Sequence, residues 1–399
     1  MPLPLASAAQ RTTFESWLLE ITAIPTAAGR EDRVIEWILA WAKKRKARIA
    51  VVADAVGNLL LHQGPVTRKV GRTPTHRPLI VTAHLDHPAF VVREVVDART
   101  IELEFRGGVH DPYFVGAALN VVDRADRSRR AVIQSMDAAA RPYKRVRARV
   151  AGGTRGLDVG DIARWAASDA AYRERRRPRR GGRHLRTHAC DDLAAVAAAL
   201  AAFELVAGKP GFEHVGVLFT VAEEVGFVGA IATARAGGVP KDARLLCLEN
   251  SRSFGDSPIG AGAILRVGDR LSVFSPELTN RLGQLYLEHQ KRTPSFRFQR
   301  KLMPGGACEA TAFSAYGYES TCLCLPLGNY HNMTDIDGVL AGKRPAKVGP
   351  EFVSVDDFHG LVEMLVVAAA QLDSSEFPPL RDRMEAIFAE NRHVLGPSA

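Results

Sequence analysis

Residues 78–87 read PLIVTAHLDH, an apolar run that ends in His84, Asp86 and His87. An apolar run of this length, bounded by turn-forming residues, is that of a strand buried on both faces, and such strands belong to sheets covered by helices on both sides. The pattern recurs further along the chain, in VGVLFTVAEE at 215–224 and RLLCLEN at 244–250, each apolar until it turns acidic. Helical stretches separate these strands: an Ala-rich one over 191–206, another over 229–236, and later ones over 277–290 and 355–372. Strands alternating with helices predict an α/β fold, with a mostly parallel mixed sheet and helices on both faces. Ahead of residue 78, the spacing of Trp17, Leu18, Ile21 and Ile24 predicts a helix over 14–24. A second follows Gly29 over 31–42, and residues 47–62 read as a hairpin turning at Gly57-Asn58.

Between residues 89 and 180 the character changes. Short strands such as FVVREVV (90–96), TIELEFRG (100–107), RAVIQSM (130–136) and YKRVRARVAG (143–152) are broken by Gly, Pro and Asp, with little helical periodicity. This stretch predicts a compact β domain inserted into the first one, dividing the chain into 1–91, 92–183 and 184–399.

Composition narrows the function classes. With 399 residues, 46% hydrophobic and 24% charged, the chain has the makeup of a globular protein with room for two domains. The start, MPLPLASAAQRTTFESW, lacks a basic segment followed by a continuous apolar one, and no apolar stretch is long enough to span a bilayer. A cytoplasmic protein without membrane partners is expected. Five cysteines in a long chain, none in C-x-x-C spacing, predict small buried residues and no disulfide framework. The net charge of +9 is local: RERRRPRRGGRHLR spans 173–186, carries no aromatic residues for base stacking, and reads as a solvated loop, so nucleic acid is not an expected partner.

Five polar islands carry the chemistry: His84-Leu85-Asp86, Asp191-Asp192, Glu223-Glu224, Glu249 and Asn329-Tyr330-His331-Asn332. On a strand, His84 and Asp86 share a face, so the carboxylate can orient the imidazole; a structural ion pair would use the same residues. Asp191-Asp192 precede an Ala-rich helix, where they could serve as capping carboxylates or as a group whose two oxygens each reach a cation. Adjacent glutamates at the end of so apolar a strand desolvate and repel one another unless a cation sits nearby. Together the islands supply the parts of a two-metal hydrolase: terminal imidazoles and carboxylates, a bridging carboxylate, and a free one to move protons.

These residues and their order resemble the co-catalytic metallopeptidases of clan MH, and most closely the tetrahedral (TET-type) and glutamyl aminopeptidase-like cytosolic enzymes. The resemblance runs through a D-x-x-G-N turn (Asp54, Gly57, Asn58), the strand ending in H-x-D, the Asp191-Asp192 pair and E-E-V-G-x-x-G-A from Glu223 to Ala230. It continues with Gly305-Gly306 and Tyr330-His331. About a hundred residues separate His84 from Asp191, as in TET-type relatives, whose inserted PDZ-like β domain lies in that gap. The resemblance implies a zinc exopeptidase-like fold with an inserted small β-barrel or PDZ-like domain, serving oligomerisation or substrate access. It implies that His84, Asp191 and Glu249 hold one divalent metal, and Asp191, Glu224 and His331 a second, with zinc expected ahead of cobalt or manganese. Asp86 would orient His84, Glu223 would be the general base, and the Asp191-Asp192 peptide would be cis. Peptides would be the substrates, losing their N-terminal residue, and the chain would assemble as a homo-oligomer, from dimer to dodecamer. A clan-related dipeptidase or N-acyl amino acid deacylase is the alternative enzyme, and a non-catalytic scaffold on the same fold the alternative of another class. The chain departs from TET-type relatives at His87, where Glu is usual, at Glu249, where Asp is usual, and at Cys308-Glu309 within G-G-A-C-E.

Overall fold

The computed structural model describes residues 3–63, 76–167, 170–174, 182–373 and 380–395. An eight-stranded mixed sheet forms its centre. Leu79–His84 lies between Val215–Thr220 and Arg244–Arg252, parallel to both, and Arg244–Arg252 pairs in parallel with Glu319–Leu327. Antiparallel pairs flank this parallel core. The hairpin of Ile49–Ala53 and Leu59–Gln63 joins one side, and Ala263–Gly268 joins the other, carrying Phe298–Leu302 in parallel at the edge.

Strand alternation explains why the central strands are apolar throughout. Leu79, Val81 and Ala83 face one core with Val217, Phe219, Leu246 and Leu248, while Ile80, Leu218, Leu245 and Cys247 face another. The first core is covered by Ala8–Ile21, Asp32–Lys43, Leu193–Val206, Pro276–Arg292 and Val355–Gln371; the second by Val228–Ala236 and Glu309–Ala315. Leu193–Val206 is buried over almost its whole circumference, and its alanines let it approach the sheet closely.

The first helix begins earlier than its apolar spacing predicts and ends earlier too. Ser7 accepts from the Gln10 N–H while the Gln10 side chain accepts from the Ser7 N–H, a capping box that starts the helix at Ala8. Ile24 lies in the loop beyond it.

Six strands between Ala89 and Trp165 close into a barrel through antiparallel pairs. Closure removes sheet edges, and the interior is filled by Phe90, Phe105, Phe114 and Trp165 in tilted and edge-to-face contact. The closing strand, Ile162–Trp165, follows directly on Gly160-Asp161 and was not among the expected strands. A three-stranded sheet that sequence reading also missed joins Ala171–Glu174, Arg183–Thr187 and Glu351–Ser354.

The arginine-rich run is therefore not loop throughout. Arg173, Arg183 and Arg186 lie in strands, and residues 175–181 lie outside the described residues. All five cysteines are free and buried. No helix among the described residues is long and apolar enough to cross a membrane.

Candidate metal centre

The five islands converge at the C-terminal ends of the central parallel strands, where open α/β sheets hold their ligands. His84 closes its strand. Glu249 lies inside Arg244–Arg252 and not at its end, because parallel pairing with Glu319–Leu327 continues through Arg252. The glutamate pair is also displaced from expectation: the strand stops at Thr220, and Ala222 adopts φ 54°. Four side-chain oxygens cause this turn by taking successive backbone N–H groups. Asn58 Oδ1 accepts from Val221 at 2.9 Å, Glu31 Oε1 from Ala222 at 2.9 Å, and Asp86 Oδ1 and Oδ2 from Glu223 and Glu224 at 2.9 and 3.0 Å. With their donors consumed by side chains, residues 221–224 cannot extend the sheet ladder.

Asp191 is the centre of the arrangement. It is 1% exposed, joined to Asp192 by a cis peptide as the resemblance implied, and its two carboxylate oxygens diverge. Oδ1 lies 3.4 Å from His84 Nε2 and Oδ2 lies 3.3 Å from His331 Nε2. Glu249 Oε1 stands 3.9 Å from His84 Nε2, and Glu224 Oε1 stands 3.6 Å from His331 Nε2. Most of these spacings are long for hydrogen bonds. They approach the roughly 3.3 Å edge of a tetrahedron built on metal–ligand bonds of about 2.0–2.1 Å. Asp191 Oδ1 has no hydrogen-bond partner, an orphaned acceptor of the kind a cation satisfies.

The electrostatics agree. Asp86, Asp191, Glu223, Glu224 and Glu249 crowd around two imidazoles in a desolvated space. Burial pushes the Glu223 and Glu224 carboxyls well above the ordinary range, with Glu249 adding to the effect on Glu223 and Asp191 on Glu224. Burial works against charge on Asp191 as well, yet the His331 and His84 imidazoles hold its carboxyl below the usual range. The donor set fits divalent cations: carboxylates in excess, two imidazoles, and ligand atoms gathered within 4.8 Å of one another as His84, Asp191, Asp192 and Glu249, as His84, Glu223 and Glu224, and as Asp191, Glu224 and His331. Asp192, which sequence reading did not assign, is therefore near the first group; its Oδ2 accepts from the His84 backbone N–H at 3.3 Å.

Residues 66–344 match the profile of the M42 glutamyl aminopeptidases. The chain belongs to the M42 glutamyl aminopeptidase family. Membership makes it a metal-dependent aminopeptidase, a hydrolase of peptide bonds. Three solved structures show the same fold. The TET1 peptidase of Pyrococcus horikoshii is 19% identical with TM-score 0.67, covering 90% of this chain and 99% of its own. An aminopeptidase from Desulfurococcus kamchatkensis is 19% identical with TM-score 0.67, covering 92% and 96%. A TET aminopeptidase from a marine-sediment thaumarchaeote is 17% identical with TM-score 0.69, covering 92% and 98%. Comparison with curated protein sequences yields no match.

In this M42 chain several residues that sequence reading passed over hold the centre in place. Glu351, fully buried, accepts from the backbone N–H groups of Cys190 at 2.7 Å, Asp191 at 3.0 Å and His331 at 2.8 Å, and so ties the Asp191 segment to the His331 imidazole. Its sequence signal is a lone acid in the short apolar strand EFVS, the same kind of anomaly as Glu223. His331 Nδ1 lies 2.5 Å from the Gly108 carbonyl oxygen, a group contributed by the barrel segment, which turns Nε2 toward Asp191. His84 Nδ1 is closer to the Asp86 carbonyl oxygen, at 3.1 Å, than to its carboxylate, at 3.5 Å. The Asp86 side chain is engaged mainly with the glutamate turn. His87, where TET-type relatives usually carry Glu, sits behind Asp191, with Nδ1 2.5 Å from the Asp191 carbonyl and Nε2 3.1 Å from Asn332 Oδ1. Burial pulls its pKa down to about 4, so the ring is neutral at pH 7.

A cleft of about 420 Å³ opens onto Glu249 and His331. Its walls include Met303, Gly305 and Gly306, together with Arg266, which is 2% exposed and donates from Nη1 to Ser251 Oγ.

Proposed function

We propose that the chain is a dinuclear aminopeptidase that removes the N-terminal residue of peptides. The observation that carries this reading is the divergence of the Asp191 oxygens toward two imidazoles, each with a further carboxylate beside it. His84, Asp191 and Glu249 would hold one cation and Asp191, Glu224 and His331 the other, most simply zinc, with cobalt or manganese as alternatives. When bound, such cations lower the pKa of water and polarise a carbonyl oxygen. Glu223, buried 3.9 Å from His84 Nε2, takes the role of general base, receiving the proton of the attacking water and delivering it to the departing amine. Asp86 positions Glu223 by holding its backbone N–H.

The 420 Å³ cleft would receive the residue to be removed. Arg266 at its wall disfavours lysine and arginine there, by like-charge repulsion in a desolvated pocket. Residues 92–183, read as an inserted PDZ-like domain, would serve assembly or substrate access. The likeness to Pyrococcus horikoshii TET1, described as assembling into a tetrahedron or an octahedral shell, supports a homo-oligomer. Five free, buried cysteines favour a cytoplasmic setting.

Metal analysis joined to a panel of aminoacyl anilides and their N-acylated counterparts tests the reading. Free-amine substrates are expected to be cleaved and N-acylated ones spared; the reverse would make the chain a deacylase. Glu223→Gln should keep both metals while losing about 10²–10⁴ in turnover, and Asp191→Asn should lose the metals as well. Equal metal loss in the two variants would overturn the separation of base from ligand.

A further inference from the structure

We propose that the three-stranded sheet carries a second binding site, for a phosphate or carboxylate anion, on the face turned away from the metal centre. The register sets Arg173 opposite His184 and Arg186 opposite Phe352, and strand alternation puts His184 and Arg186 on the same face. With Ser253 and Pro258 these side chains line a cleft of about 400 Å³. The His184 ring stacks on Phe352 with centroids 5.7 Å apart and planes 17° from parallel. The Arg186 guanidinium lies 5.2 Å from the same ring.

Two features point to an anionic ligand. Among the described residues no carboxylate lines the cleft, and neither Arg173 nor Arg186 forms an ion pair with a described residue. Guanidinium groups converging on one concave space match the planar, bidentate acceptors of phosphate and carboxylate. The aromatic wall limits the freedom of the Arg186 head group, which lowers the entropy lost on binding.

The site lies directly behind the metal centre. Phe352 is the chain neighbour of Glu351, whose carboxylate on the opposite face of the strand holds the N–H groups of Cys190, Asp191 and His331. Phe352 also exchanges backbone hydrogen bonds with Gly328, and its ring lies so close over Gly328 that no side chain fits there. An anion seated against Phe352 therefore bears on the strand that positions the ligands, and its occupancy would alter peptidase activity. That coupling rests on the function proposed above; the binding itself does not.

The metal-loaded full chain should be titrated with inorganic phosphate, and separately with citrate, at constant ionic strength, following thermal stability and binding heat. Saturable stabilisation by at least one anion is expected, with affinity falling at least tenfold in Arg173→Gln/Arg186→Gln while metal content and the anion-free melting temperature stay unchanged. Stabilisation by phosphate alone would identify a phosphate ligand, and by citrate alone a carboxylate ligand. Equal affinity in the double variant would assign the anion to the metals or another site and overturn the proposal, as would the absence of saturable binding by either anion. An inactive peptidase that still shows the variant-sensitive binding would sink the proposed function and leave this site standing.

Discussion

The two sides of Asp191 are built differently. On one side His84 and Glu249 sit on adjacent parallel strands, two residues past their last paired positions, Thr82 and Cys247. On the other, Glu224 and His331 sit on turns with no ladder at all: Asn329, His331 and Asn332 have φ of 53°, 53° and 63°, and the glutamate turn hangs from the carboxylate of Asp86 and its neighbours. Such backbone conformations persist only where the surroundings over-determine them. Regular structure positions the first side, and side-chain-to-backbone hydrogen bonds position the second. The second side should therefore be the easier to disable by mutations that touch no proposed ligand.

Glu351→Ala tests this most severely. It leaves the buried N–H groups of Cys190, Asp191 and His331 without their acceptor, at about 1–3 kcal/mol each. Chemical denaturation should show a loss of several kcal/mol, and metal analysis should show the His331-side metal depleted before the other. Uniform loss of both metals would erase the distinction between the sides.

Gly107→Ala comes next. Gly107 has φ +137°, and an added Cβ would lie 2.6 Å from the Pro88 Cβ; displacing it moves the adjacent Gly108 carbonyl that orients His331. A cost of about 2–3 kcal/mol is expected, with weakened metal binding on the His331 side only, read by competition with a chelator.

A third effect concerns pH and emerges only below neutrality. His87 has its pKa depressed from 6.5 to about 4, with burial the main cause. The unfolded chain thus binds more protons than the folded one between those values. The stability this contributes is fully present above pH 6.5 and is lost as pH falls toward 4, at up to about 1.4 kcal/mol per pH unit. His87→Gln should flatten that part of the stability profile relative to the unmutated protein, and parallel profiles would show that His87 does not titrate there.

The same division governs what could be read in advance. His84 and Glu249 were legible because a carboxylate or imidazole interrupts a two-faced apolar strand, a pattern that leaves the polar residue at the sheet's edge or in a site. Glu223-Glu224 were legible as an anomaly, although the strand proved to end at Thr220. The barrel was legible as a change of periodicity, but its closing strand Ile162–Trp165 was too short to announce itself. Glu31 is not legible in this way, because an acid that ends up beneath a turn looks in sequence like any solvated acid.

The sequence by itself determined the three-layered α/β body, the presence of a β insertion and the set of groups able to bind metal, since apolar periodicity and residue type are local properties. Only the tertiary structure decided which oxygens of Asp191 meet which imidazole, that Asp86 clamps the glutamate turn more than it orients His84, and that the barrel's Gly108 sets the second histidine. Those relations join residues far apart in the chain through backbone donors and acceptors, which every residue but proline carries alike, so the amino-acid order holds no mark of them.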